Sequence, residues 1–167
     1  IKIFTPQNFI DKNNQYDILN LNPDLIIVMG YGLKLPKFIL DLPKYGCINI
    51  HLSLLPRWRG AAPIEFALIN GDKVTGISIF KLQEGIDTGP IVASEQINLD
   101  LKINKDDLIK KTNIIGPQLL LSILPKIFNK TAIYKVQNHN KATHAYKISS
   151  QLTKIDFDKN TEIIHNK

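Results

Sequence analysis

Asn49 and His51 lie two residues apart in the run Cys47-Ile48-Asn49-Ile50-His51-Leu52, whose apolar and β-branched composition predicts an extended segment. A strand repeats every two residues, so the amide and the imidazole leave the same face. Asp87 follows in Glu84-Gly85-Ile86-Asp87-Thr88-Gly89, a turn-rich loop between two alternating runs, which makes it a candidate partner for His51. A carboxylate beside an imidazole favours the protonated ring, and a neighbouring amide adds a fixed hydrogen-bond donor. Together they suit stabilisation of an oxyanion on a carbonyl under attack, as in acyl transfer to an amine. Each piece also has a plainer use. A lone strand histidine is more often a hydrogen-bonded structural residue, and an aspartate between glycines is more often a turn former.

The elements that must position these groups alternate between helix and strand. Residues 8–21 predict a moderately amphipathic helix, and Pro23-Asp24-Leu25-Ile26-Ile27-Val28-Met29 predicts a fully buried strand of the kind found in parallel sheets. A brief helix over residues 36–42 precedes the Asn49 strand. Helical crossovers between buried strands imply an α/β sheet, and such sheets open their ligand crevice at the carboxyl ends of the strands. Pro63 sits in the first turn of a helix that runs to Asn70, where Gly71 stops it. Strands over 75–82 and 90–99 bracket the Asp87 loop. Asn104 and Asp107 signal the start of a long helix to about Phe128, which Gly116-Pro117 is expected to kink or interrupt. The expected class is therefore α/β, a Rossmann-like, mostly parallel sheet flanked by helices. The pattern turns polar after Asn129, so a boundary is placed near residue 133, with residues 1–132 as the main domain and 133–167 as a linker and the beginning of another.

Composition narrows the class. The apolar runs fall far short of the roughly 20 residues that a membrane-spanning helix needs, and the opening Ile1-Lys2-Ile3-Phe4 carries no secretory pattern. With Cys47 the single cysteine, no internal disulfide is available. A cytoplasmic or organellar-matrix protein with no membrane partner is expected. His139, His144 and His165 lack metal-ligand spacing, and neither a Gly-rich phosphate loop nor a serine-nucleophile elbow occurs, so no metal is expected. The net charge of +6 suits either a phosphate-rich partner or a lysine-covered surface. Of 21 basic residues only Arg57 and Arg59 are arginine, and they flank Trp58, the single tryptophan. The planar fork of arginine suggests a geometric demand for carboxylate, phosphate or carbonyl oxygens, and pinning the loop is the plainer alternative.

The stretch from Gly46-Cys47-Ile48-Asn49-Ile50-His51 through Leu52-Ser53-Leu54-Leu55-Pro56, with Asp87-Thr88-Gly89-Pro90, resembles the signature of the folate-dependent formyltransferase superfamily. The continuation Arg57-Trp58-Arg59-Gly60-Ala61-Ala62-Pro63-Ile64 and the segment Tyr31-Gly32-Leu33-Lys34-Leu35-Pro36 resemble its methionyl-tRNA formyltransferase branch. The resemblance implies Asn49, His51 and Asp87 as the catalytic trio and 10-formyltetrahydrofolate as formyl donor, with no metal. It implies folate contacts by Ser53, Leu54, Leu55 and Pro56 and by Tyr31, Leu33 and Leu35, and tRNA contacts by Arg57 and Arg59. The implied acceptor is the α-amine of initiator methionyl-tRNA, in an enzyme that is a monomer when complete. A formyltransferase acting on a small amine or on a nucleotide such as glycinamide ribonucleotide remains an alternative, as does a non-catalytic folate- or RNA-binding remnant. The family's first strand, glycine turn and helix are not found before Ile1, and Ala142-Thr143-His144-Ala145-Tyr146 resembles the linker to its C-terminal domain. An internal portion of a longer enzyme, or a reduced relative with an exposed sheet edge, is expected.

Overall fold

β-Branched side chains pack well on a pleated sheet, and isoleucine dominates the strands and the core of this chain. The fold is described from a computed structural model, which covers residues 3–167. Ile1 and Lys2, part of the opening read for a secretory pattern, lie outside the described residues. In chain order the elements are α1 (Lys12–Leu21), β1 (Ile26–Met29), α2 (Lys37–Leu40), β2 (Cys47–His51), β3 (Arg59–Gly60), α3 (Pro63–Ile69), β4 (Val74–Lys81), β5 (Ile91–Asn98), α4 (Lys105–Phe128), β6 (His144–Ala145) and α5 (Thr161–His165). Helix α1 starts later than residue 8 because the Asn8 side chain accepts from the amides of Ile10 and Asp11 and holds a turn there.

The main sheet has the order β1-β2-β4-β5. β1 and β2 are parallel, while β2–β4 and β4–β5 are antiparallel. The α/β class stands, but the sheet is mixed rather than mostly parallel. The physical reason is the short connection from β4 to β5: nine residues cannot carry a crossover, so the chain returns beside β4 in the opposite direction. β1 also differs from expectation. It is an edge strand with alternating exposure, and Ile27 and Met29 remain close to half exposed. A continuous apolar run does not distinguish a buried central strand from an edge strand that leaves one apolar face uncovered.

The register decides which residues face which layer. Ile48 pairs with Lys81, Asn49 with Phe80, Ile50 with Ile79, and His51 with Ser78. Ile48, Ile50, Ile77 and Ile79 join Ile64, Ile97, Leu108, Ile123 and Ile127 in the buried core beneath α3 and α4. Asn49 and His51 therefore project from the opposite face. α4 begins at an Asn104 cap, whose side chain accepts from the Asp107 amide, and runs 24 residues without interruption. Contrary to the expected break at Gly116-Pro117, the helix continues because Pro117 and Asn113, the residue whose carbonyl loses its helical donor, both face outward. Gly116 turns inward, where a Cβ would rest in ordinary contact 3.6 Å from the Ile77 side chain.

Beyond α4 the chain folds back on the sheet. Lys135 exchanges two backbone hydrogen bonds with Ile91, and β6 pairs in parallel with β3. Trp58, Ala67 and Ala145 form a second small core at this crossing. No helix among the described residues is long and apolar enough to cross a membrane.

Candidate active site

The site is built on the sheet face opposite α4. β2 presents Asn49 and His51 there, and the loop between β4 and β5 brings Asp87 to the same place. His51 is 6% exposed and packs edge-on against Phe80, with ring centroids 6.4 Å apart. Its Nε2–H donates to the Trp58 carbonyl at 2.8 Å. Its Nδ1 lies 3.6 Å from Asp87 Oδ2, close enough for electrostatic attraction but beyond a good hydrogen bond. Both ring nitrogens thus face oxygen acceptors. Asp87 Oδ2 also accepts from the Gly60 amide at 2.7 Å, so a backbone N–H fixes the carboxylate beside the ring.

Asn49 is different. Its Oδ1 is buried without a hydrogen-bond partner, and among the described residues Thr75 Oγ1 is the other buried side-chain oxygen in that state. A buried amide oxygen with no donor is costly unless something else fills the role. The structure therefore brings His51 and Asp87 together, sets Asn49 on the same strand face, and leaves one of its polar atoms uncommitted.

The loop after β2 is held by its own polar groups. Ser53 is fully buried; its Oγ donates to the Arg57 carbonyl, and its carbonyl accepts from Ser78 Oγ. Leu55 is buried as well, with its amide donating to Ser78 Oγ. Of the residues expected near a folate, Ser53 and Leu55 are thus built into the turn, Leu54 and Pro56 are half-buried, Leu33 and Leu35 are half-buried, and Tyr31 is exposed beside Phe9.

Arg57 and Arg59 use their forks within the chain. Arg57 makes two hydrogen bonds to Asp72, at 2.8 and 2.6 Å, and stacks over the Trp58 ring. That pairing raises the Arg57 pKa above its ordinary value. Arg59 is 4% exposed and donates to Gln137 Oε1 and to His139 Nδ1. Burial lowers its pKa, opposed by the nearby Asp87 carboxylate. Arg59, expected to contact tRNA, thus has its guanidinium enclosed and bonded to Gln137 and His139.

Sequence reasoning missed three residues that tie the site together. Asp72 accepts from the Trp58 indole N–H at 2.7 Å. Thr143 Oγ1 accepts from the Trp58 amide at 2.9 Å. Gln137, 5% exposed, donates to the carbonyls of Asp87 and Gly89. Asp72 and Gln137 sit in no local motif, Thr143 lies in the linker-like segment, and their separation from their partners along the chain hides these roles from spacing arguments. The cavity of about 840 Å³ between α3, residues 99–105 and the C-terminal residues does not include the trio. The candidate trio lies on the sheet face instead, and no group of three or more potential metal ligands occurs among the described residues.

An amide, an imidazole and a carboxylate converging on an α/β sheet define a class of site suited to carbonyl-group transfer. The family model described as Formyl transferase matches residues 2–124, and the chain belongs to that family. The methionyl-tRNA formyltransferase of Ehrlichia canis (strain Jake) is 44% identical over 167 residues, covering 100% of this chain and 54% of that protein. The enzyme of the same name from Clostridioides difficile (strain 630) is 42% identical over 166 residues, covering 99% and 54%. The chain spans about half the length of the curated relatives it matches. Among solved structures, methionyl-tRNA formyltransferase from Clostridium thermocellum superposes with a TM-score of 0.69 at 24% identity, covering 93% of this chain and 66% of that one. HypX from Aquifex aeolicus in complex with tetrahydrofolic acid gives a TM-score of 0.78 at 18% identity, covering 90% and 26%. These two likenesses show the fold.

Proposed function

We propose that this chain carries the formyl-transfer centre of an enzyme that moves a formyl group from 10-formyltetrahydrofolate to the α-amine of initiator methionyl-tRNA. The observation that carries the reading is the uncommitted Asn49 amide on the same strand face as a histidine bracketed by Trp58 and Asp87. The family match supports the formyl group, and the names of the relatives at 42–44% identity support the acceptor. The folate donor is supported by the tetrahydrofolate named in the HypX complex. The arginines lend the acceptor no support, because both are paired inside the chain.

10-Formyltetrahydrofolate would supply the formyl carbon and a nitrogen leaving group. Attack by the amine on that carbon places negative charge on the formyl oxygen, and this chain's residues answer that charge. His51 Nδ1–H, 3.6 Å from Asp87 and so not held in a close hydrogen bond, is the proposed donor to that oxygen. The Asn49 amide contributes a second donor from the same face, while its Oδ1 can accept from the attacking amine. Asp87 orients the ring, and Gly60 N–H keeps Asp87 in place. As the carbon–nitrogen bond to folate breaks, a proton passes to the leaving nitrogen through His51 or a water. Tyr31, Leu33, Leu35 and the 53–56 turn are proposed as folate-facing residues.

Formyl transfer by His51→Ala and Asp87→Ala variants of the complete enzyme tests the assignment. Loss of an oxyanion donor costs about 10²–10³-fold in kcat, and each variant is expected in that range with the KM for methionyl-tRNA little changed. Near-normal transfer by either variant would remove the trio from the reaction.

A further inference from the structure

Gln137 lies 50 positions beyond Asp87, past the end of α4, yet its side chain is built into the Asp87 loop. Lys135 brings it there: two hydrogen bonds between Lys135 and Ile91 dock the segment against the start of β5. Extended chain then carries Gln137 two residues further along the loop.

Its amide is fully engaged. Both hydrogens of Nε2 are donated, one to the Asp87 carbonyl at 2.9 Å and one to the Gly89 carbonyl at 2.6 Å. Oε1 accepts from Arg59 Nη2 at 2.6 Å and from Arg59 Nε at 3.2 Å. A glutamate in its place could accept from Arg59 but could not donate to the two carbonyls, and an apolar side chain of equal size could do neither. Complete use of a buried amide is a strong geometric constraint on the groups that it joins.

What this constraint holds is unusual. Asp87 has φ +52°, a left-handed backbone that a non-glycine residue adopts at a cost. The neighbouring residues 83–86 are exposed, and across the turn Gln83 donates to Thr88 Oγ1 at 3.2 Å. Gln137 bonds to the carbonyls on both sides of Thr88, directly at this turn. Arg59, bonded to Gln137 Oε1, immediately precedes Gly60, whose N–H grips the Asp87 carboxylate. One side chain therefore sets the Asp87 backbone from one direction and the strand that holds its carboxylate from another.

We propose that Gln137 is a positioning residue for the transfer reaction, fixing the Asp87 turn so that its carboxylate stands between Gly60 N–H and His51 Nδ1. The inference rests on the proposed role of Asp87 and His51. It also makes residues past position 133 part of the site, in contrast to the boundary expected from composition. Gln137 touches no reacting atom and acts through Asp87.

The test uses the complete enzyme with Gln137→Met, Gln137→Glu, Asp87→Asn and the two corresponding double variants. Misplacing a catalytic group by about 1 Å costs about 10²-fold, so each Gln137 variant is expected to lower kcat by about 10–100-fold while the KM values for folate and tRNA stay within about 3-fold. In the Asp87→Asn background the same Gln137 change is expected to cost less than about 3-fold, because two residues acting as a unit are not additive. Gln137→Glu keeps the Arg59 acceptor but sets a carboxylate oxygen against two carbonyls, and Gln137→Met keeps the length without the charge, so whichever of the two folds carries the test. Equal losses in both backgrounds, unchanged kcat in a folded variant, or failure of both variants to fold would overturn the inference. Near-normal transfer by Asp87→Asn alone would instead overturn the proposed function.

Discussion

Asp72→Ala separates two contributions that meet at one carboxylate. Asp72 is 10% exposed and accepts three hydrogen bonds, two from Arg57 and one from the Trp58 indole. The Arg57 side chain is 44% exposed, so on losing its partner it turns to water; such half-exposed pairs are worth about 0.2–1 kcal/mol. Trp58 has no such escape. The residue is 7% exposed, and its indole N–H would be left buried without an acceptor, at about 1–3 kcal/mol. The expected loss for Asp72→Ala is therefore about 1–4 kcal/mol, most of it from the tryptophan side of the knot. Arg57→Ala removes the ion pair and the stacking over Trp58 but leaves the indole bonded, and about 1 kcal/mol or less is expected. Asp72→Asn keeps a neutral acceptor and should fall between them.

Urea unfolding of the three variants gives the comparison, read from midpoints at unchanged slope. The same variants should show the knot in catalysis, because the Trp58 carbonyl receives the His51 Nε2 hydrogen and Trp58 itself has φ +59°. With its indole released, that strained residue loses a restraint, and formyl transfer by Asp72→Ala is expected to fall more than transfer by Arg57→Ala. If Asp72→Ala destabilises no more than Arg57→Ala, the buried indole bond contributes less than the exposed ion pair, and Asp72 does not hold Trp58 in the way described.

Two further outcomes follow from the geometry. Burial pushes the Cys47 thiol up to about 11, with Asp41 adding to the rise and Lys81 opposing it. The folded state thus prefers the neutral thiol: this contribution to stability is complete below about pH 9 and is lost as pH rises toward 11. Labelling by a thiol reagent at about pH 8 should be slow in the native chain and fast in urea, and rapid native labelling would contradict the burial. Gly89→Ala places a Cβ against the Lys81 carbonyl oxygen, backbone that cannot move aside without disturbing the β4–β5 hairpin. Transfer should drop at least about 10-fold as the Asp87 loop shifts; wild-type kinetics would show that the loop tolerates displacement.

The sequence made local features legible and non-local ones invisible. The Asn104 cap, Pro63 in the first turn of α3 and the two-residue spacing of Asn49 and His51 are decided by neighbours within a turn of each other. The scarcity of arginine pointed to a demand for planar donors, and the forks are indeed used, on the Asp72 carboxylate and the Gln137 carbonyl oxygen. Their partners could not be named, because Asp72 and Gln137 look like ordinary surface polar residues until the fold buries them. The uninterrupted α4 and the exposed face of β1 have the same origin: whether a proline or an apolar run is tolerated depends on which side faces solvent, and pattern within one segment does not contain that.

The distribution of commitments across the site bears on how it works. His51 is held on one side through Trp58, itself fixed by Asp72 and Thr143, and on the other side faces Asp87, itself fixed by Gly60 and Gln137. These restraints come from three parts of the chain, residues 58–60, Asp72 and residues 137–143, and the first and last of them reach both sides of the ring. A ring restrained in this way need not reorganise when charge develops beside it, which is the condition under which a hydrogen-bond donor lowers a barrier most. Asn49 Oδ1, by contrast, has no partner within the described chain. That oxygen is enclosed as well as unpaired, so under the proposed function the Asn49 amide must turn to meet an incoming donor, on the same strand face as the histidine.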